Sequence, residues 1–220
     1  MNDYDKKLGL VSPMAHWIRK GKFAGAVLVA ASLWLASSCT HAIPRFGIGG
    51  RYAEGKAEVT KSRGGNLDRA ILSLEAVVRQ DPTYEDSLTL LGRAYYKKGR
   101  YGDARQILER ALLVKKDDEI AWLALGLAQM RLGEDQKGLE TVKGALTLLG
   151  RAMTDGYREY PEWDPNRVVR TSLRRSVVQA TKGLEEKNDL IRSLEVLLDR
   201  IDDEEWRQGR DRVIDQMRGR

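Results

Sequence analysis

Apolar and small residues recur between Leu88 and Ala145 at a fixed spacing of 34 residues. The first copy comprises Leu88, Leu91, Gly92, Tyr95, Ala104, Leu108 and Ala111, and the second comprises Trp122, Leu125, Gly126, Gln129, Gly138, Val142 and Ala145. Only Gln129 breaks the match in size and polarity. Within each copy the spacings of three and four predict two amphipathic helices. A fixed period of this length indicates an array of identical helix pairs.

Glycines define the ends and the contacts of each predicted pair. Gly92 removes a side chain from the apolar face, so the partner helix is expected to approach closely, and Gly99 is expected to end the first helix in a left-handed cap. The pattern of the second predicted helix occurs again 34 residues earlier, and Pro82 follows it. The sequence therefore predicts a leading unit with helices over 51–63 and 67–80.

This pattern resembles the tetratricopeptide repeat (TPR) family, whose signature is W-x2-L-G-x2-Y, then A-x3-F, then Pro. The matches are Leu88-x2-Leu91-Gly92-x2-Tyr95 with Ala104-x3-Leu108, and Trp122-x2-Leu125-Gly126 with Val142. The closing Pro is present only as Pro82. The resemblance implies an all-α fold, a right-handed solenoid of about three helix hairpins over 51–150.

The resemblance also implies a concave groove lined by the first helix of each pair. The residues expected to contact a ligand there are Thr89, Arg93, Tyr96 and Lys97 from one unit, and Leu127, Met130 and Arg131 from the next. Basic side chains beside apolar ones suit an extended or helical peptide that carries carboxylates. The alternative is that Leu127 and Met130 pack against helices near the C-terminus.

The N-terminal part of the chain resembles a bacterial lipoprotein signal. Phe23–Ser38 is free of charge, follows Lys20 and Lys22, and has the length of a secretory signal core. The only cysteine, Cys39, follows directly. We therefore expect 1–38 to be a signal peptide, with Met14 as an alternative start, Cys39 to be lipidated, and 39–50 to be a flexible tether.

The residues around Cys39 depart from the lipoprotein pattern at one position and leave other interpretations open. Leu35 lies one residue earlier than the lipobox pattern requires. An uncleaved anchor helix and a plain secretory signal are the alternative interpretations. Thr40 stands where Asp would favour retention at the inner membrane. The resemblance therefore implies an outer-membrane location facing the periplasm.

The C-terminal region, 151–220, does not follow the 34-residue period. Apolar residues at alternating spacings of three and four predict a long helix over 166–201 with a coiled-coil-like seam, opened by Asp164-Pro165. A break near 186–188 into a helical hairpin is the alternative. Asp202 and Asp203 are expected to cap a last short helix, and the seam is expected to pack on the repeats or on a second copy of the chain.

Composition excludes several classes of function. The net charge is +6, but five basic and two acidic residues precede Cys39, which leaves 33 basic and 30 acidic residues, a net +3. That value is too small to indicate nucleic-acid binding. The two histidines, His16 and His41, lie outside the predicted repeats, so no catalytic group, metal site or cofactor site is expected there.

The sequence thus predicts a non-enzymatic, lipid-anchored adaptor that binds a protein or peptide partner in the bacterial envelope. The combination resembles pilotins and outer-membrane assembly lipoproteins, which usually carry more repeats. The alternative is a structural oligomer, such as a homodimer assembled through the helix at 166–201.

Overall fold

Helices make up the regular structure of the described part of the chain. The computed structural model describes residues 47–61, 64–154 and 163–218, and for 212–217 it describes the backbone alone. The helices are α1 (Ile48–Thr60), α2 (Leu67–Gln80), α3 (Ser87–Lys97), α4 (Tyr101–Val114), α5 (Glu119–Arg131), α6 (Asp135–Thr154), α7 (Val168–Lys182) and α8 (Lys187–Arg218). The predicted all-α class is confirmed, and these residues contain no strand.

The first six helices form three hairpins, α1–α2, α3–α4 and α5–α6. Each hairpin also packs against the next one, and buried apolar residues form one continuous core from Val59 to Ile201. A hairpin of two short helices leaves one apolar face uncovered, which the neighbouring hairpin buries. The stacked hairpins confirm the predicted solenoid.

A glycine in the first helix of each hairpin permits a close contact with the second helix. A Cβ atom added at any of these glycines would lie far inside the usual contact distance of a side-chain carbon opposite. The pairs are Gly55 with Leu74 (2.5 Å), Gly92 with Leu108 (2.4 Å) and Gly126 with Val142 (2.6 Å). The close contacts expected at Gly92 and Gly126 are confirmed, and the leading unit repeats them at Gly55.

Glycines with positive φ follow the first helices. They are Gly64 (φ 77°), Gly99 (φ 79°) and Gly133 (φ 83°). This left-handed conformation ends a helix at low cost only for glycine. The left-handed cap predicted at Gly99 is confirmed and recurs at Gly133, whereas α1 ends in extended backbone at Lys61, three residues before Gly64.

The predicted boundaries of the leading unit are correct for one helix and shifted for the other. α2 begins and ends where the sequence predicts. α1 begins at Ile48, after Gly47 (φ 90°), so the last three residues of the predicted 39–50 tether are helical. Of the predicted tether, the structure describes only residues 47–50. Cys39 lies outside the described residues. α6 continues past the predicted domain end at residue 150.

The C-terminal region forms a helical hairpin, so the prediction of one helix over 166–201 is wrong. α7 ends at Gly183, where φ is 73°, and a turn over 183–186 leads into α8. The two helices pack against each other, and the Ser176 hydroxyl donates to the Ser193 carbonyl at 3.0 Å. The predicted alternative, a hairpin, is confirmed, with its break slightly before 186–188.

The predicted start of the region and its last helix both need correction. The Asp164 carboxylate accepts hydrogen bonds from the Val169 and Arg170 amides, so it caps the helix, but α7 begins only at Val168. α8 continues through Asp202 and Asp203 without a new cap. Asp202 is fully buried, so it does not act as an exposed helix cap.

Candidate protein-interaction groove

α8 packs against the first helices of the repeats. It contacts α1 and α5, and its side chains bond to α3. We call the surface formed by α1, α3 and α5 the groove. The surface that the sequence assigns to a partner is therefore covered by the chain's own C-terminal helix.

A buried ionic cluster lies at the centre of this contact. Both terminal guanidinium nitrogens of Arg93 lie 3.2 Å from Glu205 Oε2, and the same group pairs with Asp202. The side chains of Arg93 and Asp202 are almost completely buried. A charged group at such a depth is tolerated only when an opposite charge compensates it. Arg93 therefore requires a carboxylate on the helix that covers the groove.

Lys97 extends the cluster by one helical turn. Its ammonium group pairs with Asp202, lies 3.9 Å from Asp199 Oδ1, and donates to the Val59 carbonyl of α1 at 3.1 Å. Burial, and after it the charge of Arg93, lower the pKa of Lys97 to about 8. The group is still mainly charged at pH 7, so two cations share the Asp202 carboxylate.

A second polar contact joins two repeat units to one carboxylate. The Tyr96 hydroxyl on α3 and an Arg131 guanidinium nitrogen on α5 each donate to Glu195 Oε1 at 2.5 Å. Burial, followed by the hydrogen bond to Glu195, raises the pKa of Tyr96 above its ordinary value. Glu195 thus bridges adjacent hairpins from the outside.

The seven predicted groove residues divide into two sets. Arg93, Tyr96, Lys97 and Arg131 meet on one surface, and all four bond to carboxylates of α8. Thr89, Leu127 and Met130 are buried, as Arg93 and Tyr96 are, but their contacts lie within the repeats. Whether any of the seven binds a separate partner stays a prediction.

The three buried residues have structural contacts that correct their placement in an open groove. The Thr89 hydroxyl donates to Asp118 Oδ2 at 2.7 Å, and the Asp118 carboxylate also caps α5. Met130 packs against Gly138, where an added Cβ atom would lie only 2.5 Å from the Met130 Cγ atom. Leu127 belongs to the continuous core. Thr89 therefore joins two repeat units, whereas Met130 packs within its own hairpin.

The acidic residues of α8 are the part of the site that sequence reasoning missed. Asp202 was expected to cap a last helix, and Glu195 and Glu205 were not singled out, whereas all three carboxylates point into the groove. The signal was present in the sequence, because these carboxylates flank the apolar stripe that includes Leu194, Leu198 and Ile201. Matching that acidic stripe to the basic groove would have located the contact.

A cavity of about 330 Å³ lies beside the groove, between α1 and the starts of α3 and α5. The Tyr52 hydroxyl donates to Asp86 Oδ1 at 2.6 Å, and Lys56 Nζ lies 3.4 Å from Asp86 Oδ2. Burial raises the pKa of Tyr52, and the negative charge of Asp86 raises it further. Tyr52, Lys56 and Asp86 are thus paired with one another on the wall of the cavity.

The described residues offer neither a metal-binding cluster nor a membrane-spanning helix. Across 47–61, 64–154 and 163–218, no three His, Cys, Asp or Glu side chains gather where a metal ion would fit. The helices of this part of the chain are too short or too polar to cross a bilayer. The apolar segment Phe23–Ser38 lies outside these residues.

The comparison with protein families agrees with the repeat geometry. Residues 63–130 match the model of the tetratricopeptide repeat family, from the end of the leading turn to α5. No curated protein matches the chain. Among solved structures the chain is similar to one titled "Crystal structure of MamA", with 20% sequence identity, a TM-score of 0.46, and coverage of 87% of this chain and 94% of that chain. Residues 63–130, which span α2 to α5, are therefore similar to tetratricopeptide repeats.

Proposed function

We propose that the protein is a non-enzymatic adaptor that binds other proteins and is held in a bacterial envelope by lipid on Cys39. The observation that carries the adaptor role is the groove itself, where Arg93, Lys97 and Arg131 hold an acidic helix. Tetratricopeptide repeats generally serve protein–protein interaction, and the match over 63–130 supports that role here.

The membrane tether is proposed from the N-terminal sequence. Phe23–Ser38 has the length of a signal core, and Cys39 follows it directly. A single acyl chain binds a membrane only weakly, whereas two or more anchor a protein stably. Thr40 favours the outer membrane, with the repeats facing the periplasm.

Replacing the lipid acceptor tests the tether. Cys39→Ser should move the protein from the membrane fraction to the soluble fraction, and it should abolish incorporation of labelled palmitate. Ser38→Ala is the matched control, because it keeps a small residue beside an intact Cys39 and should stay in the membrane fraction. Retention of Cys39→Ser in the membrane would instead show that the apolar segment remains as an anchor.

The alternative function, a structural oligomer, depends on a free seam along the C-terminal helices. The seam residues Leu194, Leu198 and Ile201 are buried inside the chain by the groove. The adaptor is therefore the function that the geometry supports better. Affinity purification of the lipidated protein from its own envelope should recover a stoichiometric partner, and a preparation that contains only this chain would contradict the adaptor role.

A further inference from the structure

We propose that α8 is a resident ligand of the groove, and that an acidic amphipathic helix of a partner protein replaces it. This inference rests on the proposed adaptor function and specifies its partner and its regulation. The groove is blocked in the described state, so binding of the partner requires α8 to leave. The chain thereby carries its own competitive inhibitor.

The charges of the groove determine what the occupant must be. The buried Arg93 pairs with Asp202 and Glu205, and the partly exposed Arg131 pairs with Glu195. Without α8 the groove would present Arg93, Lys97 and Arg131 to solvent as a cluster of positive charges without counter-charges. The groove is therefore expected to exchange one acidic helix for another rather than to stand empty.

The same contacts define the spacing that a partner helix must present. Counted from Glu195, the carboxylates that pair with the groove recur seven and ten residues later, at Asp202 and Glu205. Apolar residues flank them on the same side of the helix, at Leu194 and Leu198. A partner with carboxylates at i, i+7 and i+10 and apolar residues at i−1 and i+3 would reproduce these contacts over roughly three helical turns.

The connection of α8 to the rest of the chain suits exchange. One turn, 183–186, joins α8 to α7, and it begins at Gly183, where an added side chain would meet open space. Within the described residues no later element packs over α8. Buried ion pairs also give little net stabilisation relative to other well-packed arrangements. An incoming helix that forms the same pairs would therefore match α8 in its contacts, and it would have to overcome only the advantage that covalent attachment gives α8.

The test converts α8 from a covalent segment into a bound peptide. A protease site is inserted after Leu184 in the full chain, which is purified in detergent and studied before and after cleavage. The probe is a fluorescent synthetic peptide with the sequence of residues 187–211. A control peptide carries Glu195→Gln, Asp202→Asn and Glu205→Gln, which preserves its shape and removes the three charges.

The expected result is exchange that depends on both cleavage and charge. A tethered helix has an effective concentration in the millimolar range, so the uncut protein should bind the probe at least about tenfold more weakly than the cut protein. The neutral peptide should bind the cut protein at least about tenfold more weakly than the acidic probe. Raising the salt concentration should weaken the acidic probe more than the neutral one.

Three results would overturn the proposal. The first is that the cut protein keeps its own α8 until it melts. The second is that the neutral peptide exchanges as well as the acidic one, and the third is that cleavage unfolds the protein. Amide hydrogen exchange in the uncut chain gives an independent check, since α8 should open more often than α3 and α4. Membrane fractionation of Cys39→Ser does not depend on α8, so failure of the exchange test and failure of the tether can be told apart.

Discussion

The glycine contacts inside the hairpins and the ionic contacts in the groove hold the molecule together in different ways. Gly92 and Gly126 lie at equivalent positions of consecutive units, and each faces the second helix of its own hairpin. Arg93 stands next to Gly92 in the sequence, yet its partner Glu205 lies 112 residues away. Neighbouring residues of one helix thus serve a local contact on one face and a distant contact on the other.

The two contacts also differ in what they tolerate. A close helix crossing needs only the absence of a side chain, so it repeats wherever the period places a glycine. A buried charge needs a specific partner of opposite sign, and its loss leaves an uncompensated group. The hairpins are therefore defined within each unit, whereas the groove is defined by what covers it.

The largest expected effect comes from neutralising the buried carboxylate. Asp202→Asn keeps the shape of the side chain but leaves Arg93 and Lys97 without their shared counter-charge. Breaking a buried ion pair on one side typically costs about 3–5 kcal/mol. Urea unfolding should show a loss of that size in the free energy of unfolding.

Asp199→Asn is the matched control on the same helix. The Asp199 side chain is 60% exposed and lies 3.9 Å from Lys97, so its loss should change the free energy of unfolding by less than about 1 kcal/mol. Equal effects of the two substitutions would show that the groove does not distinguish a buried carboxylate from a half-exposed one.

Alanine at the crossing glycines should have an intermediate effect. Gly126→Ala should cost more than Gly92→Ala, because the added Cβ would meet the Val142 amide nitrogen at 3.0 Å and the Gly138 carbonyl oxygen at 3.1 Å as well as a side chain. Overpacking of this kind costs about 1–3 kcal/mol. Thermal melting of the two variants gives the order.

Gly144→Ala, within α6, is expected to stabilise the protein, in contrast to the substitutions at the crossing glycines. An added Cβ there meets open space, and Ala in a helix interior is about 0.5–1 kcal/mol more stable than Gly. The melting temperature should therefore rise. A fall for Gly144→Ala, or no change for Gly126→Ala, would contradict the assignment of the crossings.

The smallest effect expected is a loss of stability at alkaline pH. Burial, followed by a hydrogen bond from its hydroxyl to Glu75, raises the pKa of Tyr95 to about 12, above its ordinary value near 10. Between these values the folded state holds a proton that the unfolded state has lost, so the free energy of unfolding falls as the pH rises from about 10 to about 12. Tyr95→Phe should lose less stability over that window, as measured by urea unfolding at several pH values. A parallel decline in both proteins would show that Tyr95 contributes nothing to it.

The local part of the fold could be predicted from the sequence, because period, glycines and caps are properties of neighbouring residues. The bounds of α2 and the left-handed cap at Gly99 follow directly from that information. The crossing at Gly55 was hidden, since small residues around it disguise the pattern of the leading unit.

The cover of the groove could not be predicted by the same reasoning. Asp202 and Asp203 are typical of a helix start when only their neighbours are considered, and a break in α8 was expected there. The helix continues because Arg93, more than a hundred residues earlier, buries Asp202 inside the molecule. Likewise, Lys97 and Arg131 were recognised as a surface for carboxylates, but the sequence does not say whose carboxylates these are.

The attachment of α8 to three successive hairpins changes how the array responds to heat. In a simple row of repeats each unit touches only its neighbours, and the units at the ends are free to melt separately. Here α8 contacts α1 and α5 and bonds to α3, so it acts as a strut across the whole row. The outer repeats therefore lose that freedom while α8 is in place, and displacement of α8 should restore it.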